Sequence, residues 1–95
     1  MKFVQHVRFK TSKFDEMQKL IAEDSSVENA PGNPTFWVLQ DRDTPNAYVV
    51  TVVFDSYEEA MKNNDRPETQ AFSAKMGELT DGPTEYGNYD LIAEG

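Results

Sequence analysis

The sequence predicts an α+β fold, a four-stranded antiparallel sheet with helices on one face, in the order strand, helix, strand, strand, helical segment, strand. Three observations predict it. Strand-like and helix-like periodicities succeed one another in that order along 95 residues. A short polar turn joins the second and third strand segments, which makes them a hairpin. The central segment, Ala47 to Phe54, is apolar on both faces, with Tyr48, Val50, Val52 and Phe54 opposed to Val49, Thr51 and Val53. A half-solvated antiparallel strand keeps one polar face. Both faces of this strand are therefore expected to be covered, one by helices and the other by a second copy of the chain.

The first strand is read from Phe3 to Phe9, with Phe3, Gln5, Val7 and Phe9 on one face and Val4, His6 and Arg8 on the other. Ser12 with Asp15 three residues on resembles a capping box. Phe14, Met17, Leu20 and Ile21 then recur at helical spacing, which predicts an amphipathic helix from Lys13 to Asp24. Ser25 to Pro34 holds Asn29, Pro31, Gly32, Asn33 and Pro34 and reads as the longest loop. Thr35 to Arg42 is the second strand, and Asp43-Thr44-Pro45-Asn46 is the hairpin turn. After the central strand, Ser56-Tyr57-Glu58-Glu59 is a capping box that opens a short helix through Ala60 and Met61, ending at Asn63-Asn64-Asp65. Pro67 starts a further helix with Glu68 in its first turn. Phe72, Met76 and Leu79 form its buried stripe, and Asp81-Gly82-Pro83 stops it. Tyr86 to Ala93 is the last strand. The order matches the split βαβ, ferredoxin-like plan βαββαβ.

Composition narrows the partners. The chain has the length of one domain, residues 1–95. With no cysteine there is no disulfide framework, thiolate metal site or cysteine nucleophile. The net charge is −8, and the small basic group Lys2, Arg8, Lys10 and Lys13 is followed at once by Asp15 and Glu16, which argues against nucleic acid. No apolar run is long enough for a bilayer and the N-terminus has no signal-peptide pattern, so a cytoplasmic protein without membrane contact is expected. Helices on one side leave the other sheet face bare, and Phe3, Val7, Phe9, Val49 and Val53 are expected on it. An apolar face of several hundred Å² is unusual on a soluble monomer. Face-to-face pairing of two sheets into a homodimer would cover it.

Phe54-Asp55-Ser56-Tyr57-Glu58-Glu59-Ala60, followed by Asn64, Pro67 and Phe72, resembles the dimeric α+β barrel superfamily, and within it the antibiotic biosynthesis monooxygenase-like group. His6-Val7-Arg8-Phe9-Lys10 is similar to the opening of the stress-responsive A/B barrel group, which includes a polyketide cyclase. The resemblance implies a small-molecule pocket between sheet and helices in each subunit. It also implies oxidation or cyclisation of a polyaromatic, polyketide-like substrate with no cofactor, although others of the superfamily degrade haem. The cyclase pattern has a second histidine just after the helix-starting proline. Thr69 stands there in this chain, so the histidine that haem degraders use as an iron ligand is absent too.

His6 is the only histidine. It is either a general base, if its strand face is the helix side, or a histidine satisfied by a neighbouring group or simply exposed. Tyr48, Val50, Val52 and Phe54 are the expected pocket wall, closed from the helices by Phe14, Met17, Phe72 and Met76. The same residues equally describe a filled core. Trp37, Tyr48, Tyr57, Tyr86 and Tyr89 offer aromatic surface with a polar tip, which suits a flat aromatic ligand or equally ordinary core and interface packing. Asn63 and Asn64 offer polar contacts to a ligand oxygen and equally suit a helix end, and Thr69, in the place of the cyclase histidine, is a further substrate-binding candidate. No metal-ligand spacing, phosphate loop or nucleophile elbow occurs. Two functions stay open: a cofactor-independent monooxygenase-like or cyclase-like enzyme, and a non-catalytic ligand-binding or dimerisation module.

Overall fold

The computed structural model describes residues 1–26 and 28–95, so Val27 of the predicted loop lies outside the described residues. The strands are β1 (Phe3–Lys10), β2 (Thr35–Gln40), β3 (Ala47–Phe54) and β4 (Glu85–Asp90). The helices are α1 (Phe14–Glu23), α2 (Tyr57–Asn64) and α3 (Pro67–Gly77). The sheet is antiparallel throughout, in the order β2-β3-β1-β4. This is the expected α+β, ferredoxin-like architecture, with the second helical segment divided at Asp65-Arg66. Among the described residues no helix is long and apolar enough to cross a membrane.

Local chemistry explains the boundaries. Asp41 Oδ1 accepts from the backbone N–H of Asp43 and of Thr44, and Asn46 takes the positive φ of 60° that returns the chain into β3. Ser56 Oγ accepts from the Glu59 N–H at 3.2 Å and caps α2 as its sequence predicts. Ser56→Ala is expected to destabilise the fold by about 1 kcal/mol, read as a lower denaturant midpoint with an unchanged slope. The capping box expected at Ser12 and Asp15 does not form. Thr11, fully buried, accepts from the Lys13 N–H and donates to the Leu79 carbonyl, while the Ser12 N–H is taken by Asp81. Long-range partners in the α3–β4 connection thus anchor the start of α1.

Register decides which face each strand buries. Phe3 pairs with Phe54, Val7 with Val50 and Phe9 with Tyr48. Residues directly opposed in an antiparallel ladder share a face. Since Tyr48, Val50 and Phe54 face the helices, Phe3, Val7 and Phe9 must do so as well. The expectation that these three lie on the bare face is therefore corrected, whereas Val49 and Val53 do lie there. The core consists of two clusters at opposite ends of the strands. Phe3, Phe54 and Ala60 form one, and Phe9, Met17 and Tyr48 form the other. Phe14 stacks on Tyr48 with ring centroids 4.1 Å apart.

The second sheet face carries no helix. Val4, His6, Val49 and Val53 are half-buried on it, and Trp37, Leu39 and Tyr89 are 51%, 48% and 47% exposed. Tyr89 lies over Gly87 toward His6, with the two rings 5.0 Å apart. Any Cβ at Gly87 would come within 2.7 Å of the Tyr89 hydroxyl, so the glycine makes this arrangement possible.

Candidate functional site

Large aromatic side chains fill the two ends of the β1–β3 pair, and smaller ones occupy its middle. Gln5 and Val7 on β1, with Val50 and Val52 on β3, do not reach the helices as Phe3, Phe9, Tyr48 and Phe54 do. A cavity of about 500 Å³ occupies that gap. This is within the range of roughly 300–1,000 Å³ usual for small-molecule sites. The sheet forms its floor, extended by Phe36 and Val38 of β2, and Ile21, Phe72 and Met76 close it from α1 and α3. Gly32, with φ of 85°, lies so close to Phe54 and Glu59 that a Cβ would meet the Glu59 Cβ at 2.9 Å. That fit seats the α1–β2 loop against β3 and α2.

One end of the cavity is polar. Asn63 lies in the last turn of α2, and its Oδ1 accepts from Arg66 Nη1 at 3.2 Å and from Thr69 Oγ1 at 3.2 Å. A guanidinium only donates, so the atom facing Arg66 must be the carbonyl oxygen, and the amide orientation is determined. The Asn63 NH2 then has no hydrogen-bond partner among the described residues, on a residue that lines the cavity. Arg66 is itself held. Nη1 also donates to the Ser26 carbonyl at 2.8 Å, and Nη2 donates to Glu68 at 2.8 Å. The Glu68 carboxyl is held below the usual carboxylate range, first by a hydrogen bond from its own backbone N–H and then by Arg66. Asp24 accepts from both the N–H and the hydroxyl of Ser26. The network ties the end of α1 to the α2–α3 junction and keeps Asn63 aimed.

The expected site residues separate into those the cavity gathers and those it does not. Val50, Val52, Phe54, Asn63, Thr69, Phe72 and Met76 all line it. Tyr48 does not, because it is consumed in the core between Phe9 and Phe14. Trp37 projects from the opposite sheet face. Tyr57 is 52% exposed and packs edge-on against Phe3 outside the cavity. His6 pairs with Thr51 and shares its face, which is the open one, so the condition under which it would line the cavity is not met. The register that turns Phe3, Val7 and Phe9 toward the helices turns His6 away from them. Its Nδ1 is buried without a hydrogen-bond partner among the described residues.

Gln5, Phe36 and Asp24 line the cavity and were not anticipated, and Tyr86, one of the expected aromatic groups, lines it too. The signal for Gln5 was available: a polar residue on a strand face whose ends are Phe3 and Phe9. Asp24 could not be found from pattern, since it closes a helix that reads as a solvated terminus. Among the described residues no group of three histidine, aspartate or glutamate side chains is placed to hold a metal ion.

Comparison with known proteins bears on this geometry. SnoaB, a cofactor-independent oxygenase from Streptomyces nogalater, has 18% identity and a TM-score of 0.83, over 98% of this chain and 95% of that one. A candidate antibiotic biosynthesis monooxygenase from Caulobacter crescentus has 16% identity and a TM-score of 0.83, over 97% and 91%. A Mycobacterium tuberculosis protein has 15% identity and a TM-score of 0.78, over 99% and 98%. At such identities the likeness shows the fold alone. No curated protein matches the sequence. The model of the antibiotic biosynthesis monooxygenase family matches residues 2–75. With most of its length matched, the chain belongs to the antibiotic biosynthesis monooxygenase family.

Proposed function

We propose that this protein binds a small, partly aromatic organic molecule in the cavity and oxidises or cyclises it without a cofactor, as a homodimer paired through its open sheet faces. One observation carries the reading: the Asn63 amide, oriented by Arg66 and Thr69, stands at the polar end of a cavity whose other walls are mostly apolar. A flat ring system suits those walls, and a carbonyl or phenolic oxygen suits the donor. The fold shared with a cofactor-independent oxygenase supports the reaction class.

The reaction asks little of the protein. An anthrone-type CH2 flanked by hydroxylated rings loses a proton to give a stabilised carbanion. That anion reduces O2 directly, one oxygen atom ending as the new ketone and the other as water. The enzyme must position the substrate, exclude water and stabilise the anion's oxygen, which is the task of an oriented hydrogen-bond donor. The titratable groups on the cavity wall are Asp24 and Tyr86, and His6 stands on the other side of the sheet.

Asn63→Asp tests the reading. It keeps an oxygen for Arg66 and Thr69 and replaces the donor by an acceptor. Affinity for a hydroxyanthraquinone, measured by titration calorimetry, is expected to fall about tenfold, close to the ~1.4 kcal/mol of one good hydrogen bond. Unchanged affinity would remove the ligand role from Asn63. A second reading, non-catalytic binding, is favoured by the absence of histidine from the described cavity wall. Oxygen uptake with an anthrone separates oxidation from binding. Oxidation requires one O2 consumed per anthrone converted to anthraquinone, and a binding module gives no uptake above the uncatalysed rate.

A further inference from the structure

We infer that the cavity selects by charge: it accepts uncharged molecules and rejects carboxylates and sulfonates, with Asp24 as the residue that sets this preference. The inference rests on the small-molecule reading above and adds to it a ligand class. Its basis is the ionic composition of the wall. Among the described lining residues Asp24 is the sole charged one, and no lysine, arginine or histidine joins it. The nearest cation in the network, Arg66, is already spent on the Ser26 carbonyl, the Asn63 carbonyl oxygen and the Glu68 carboxylate. Its charge is matched by Glu68 at 2.8 Å, which leaves Asp24, hydrogen-bonded to the N–H and hydroxyl of Ser26, without an ionic partner among the described residues.

An anion entering this cavity loses its hydration shell and meets apolar walls with no cation to replace the water. It also meets a fixed negative charge, whose repulsion is stronger there than in water because the surroundings are less polarisable. The whole chain carries a net charge of −8, so the approach from solvent adds to the bias. A neutral ligand of the same shape suffers none of these costs on entry, and the charge it acquires in the proposed reaction is spread over its rings and met by the Asn63 NH2, unlike a localised carboxylate. It presents its oxygen to the Asn63 NH2 and leaves the Asp24–Ser26 turn intact.

The test compares a neutral hydroxymethylanthraquinone with the anthraquinone carboxylate of matching shape, both titrated into the full chain by calorimetry. The parent protein is expected to favour the neutral probe by at least about thirtyfold. In Asp24→Asn, and separately in Asp24→Ser, that ratio should fall by about tenfold or more. Using the ratio cancels any loosening of the loop that weakens both probes alike, and the serine variant keeps a hydroxyl for the Ser26 N–H. Equal binding of the two probes by the parent overturns charge selection while leaving the small-molecule reading in place. A preserved ratio in both variants removes Asp24 from the role. Binding of neither probe defeats the small-molecule reading itself, and the charge filter with it.

Discussion

Trp37→Glu is expected to convert a dimer into a folded monomer. The indole is half-exposed in the single subunit, on the sheet face that carries no helix, so its replacement removes little from the subunit's own core. In a symmetric pair the same position occurs twice across the interface. Each copy loses the burial of a large aromatic, about 2 kcal/mol, and gains a carboxylate that must be desolvated. Two copies cost at least ~4 kcal/mol, which is about a thousandfold in dissociation constant. Light scattering behind size exclusion should give twice the subunit mass for the parent and the subunit mass for the variant at micromolar concentration, with unchanged far-ultraviolet dichroism. A parent that is already monomeric at that concentration defeats the pairing. A variant that stays dimeric moves the interface elsewhere.

That prediction draws on the part of the fold most legible in the chain. Val49, Thr51 and Val53 never supply the polar face that a wetted antiparallel strand needs, and this was visible without coordinates. Ser56 and Pro67 likewise carried their meaning locally, one as a cap and one as a first helical residue. What could not be read was register. Phe3, Val7 and Phe9 are apolar, but so is Val4 on the other face, so alternation alone does not say which set meets the helices. Only the pairing of Phe9 with Tyr48 decides it, and that pairing joins segments far apart in sequence. The side of the sheet on which His6 stands was open for the same reason. The start of α1 shows a similar limit, because Asp81, 69 positions from Ser12, supplied the acceptor that the nearby Asp15 was expected to supply.

The site divides along the same line. Residue types that suit a cavity wall also suit a filled core, and volume is not written in periodicity. The Phe–Gln–Val–Phe progression along the helix-facing side of β1 is the one sequence feature that foretells a gap, since its middle residues are too small or too polar to complete the packing. Asn63 was recognisable as a polar residue at a helix break. Its aim was not, because it depends on Arg66 reaching the same oxygen that Thr69 holds.

Met17→Ala carries the largest expected stability cost in a single subunit. Met17 is 0% exposed and sits on α1 between Phe9 and Tyr48, where one cluster of the core meets the cavity wall. Truncation removes buried atoms and leaves a void that the stacked rings of Phe14 and Tyr48 cannot collapse to fill. A loss of about 3 kcal/mol follows, or roughly 15 °C in Tm for a chain of this size, compared at equal protein concentration. Phe72→Ala should cost less despite its larger side chain, since part of the Phe72 ring faces the cavity and has no partner atoms there to lose. The order of the two variants is therefore informative beyond either value. If Phe72→Ala proved the more damaging, the space between sheet and helices would have to be closed in solution. If Met17→Ala is worse, the void is real, and a ligand at about a hundred times its dissociation constant should return up to ~2.7 kcal/mol to both variants that still bind it.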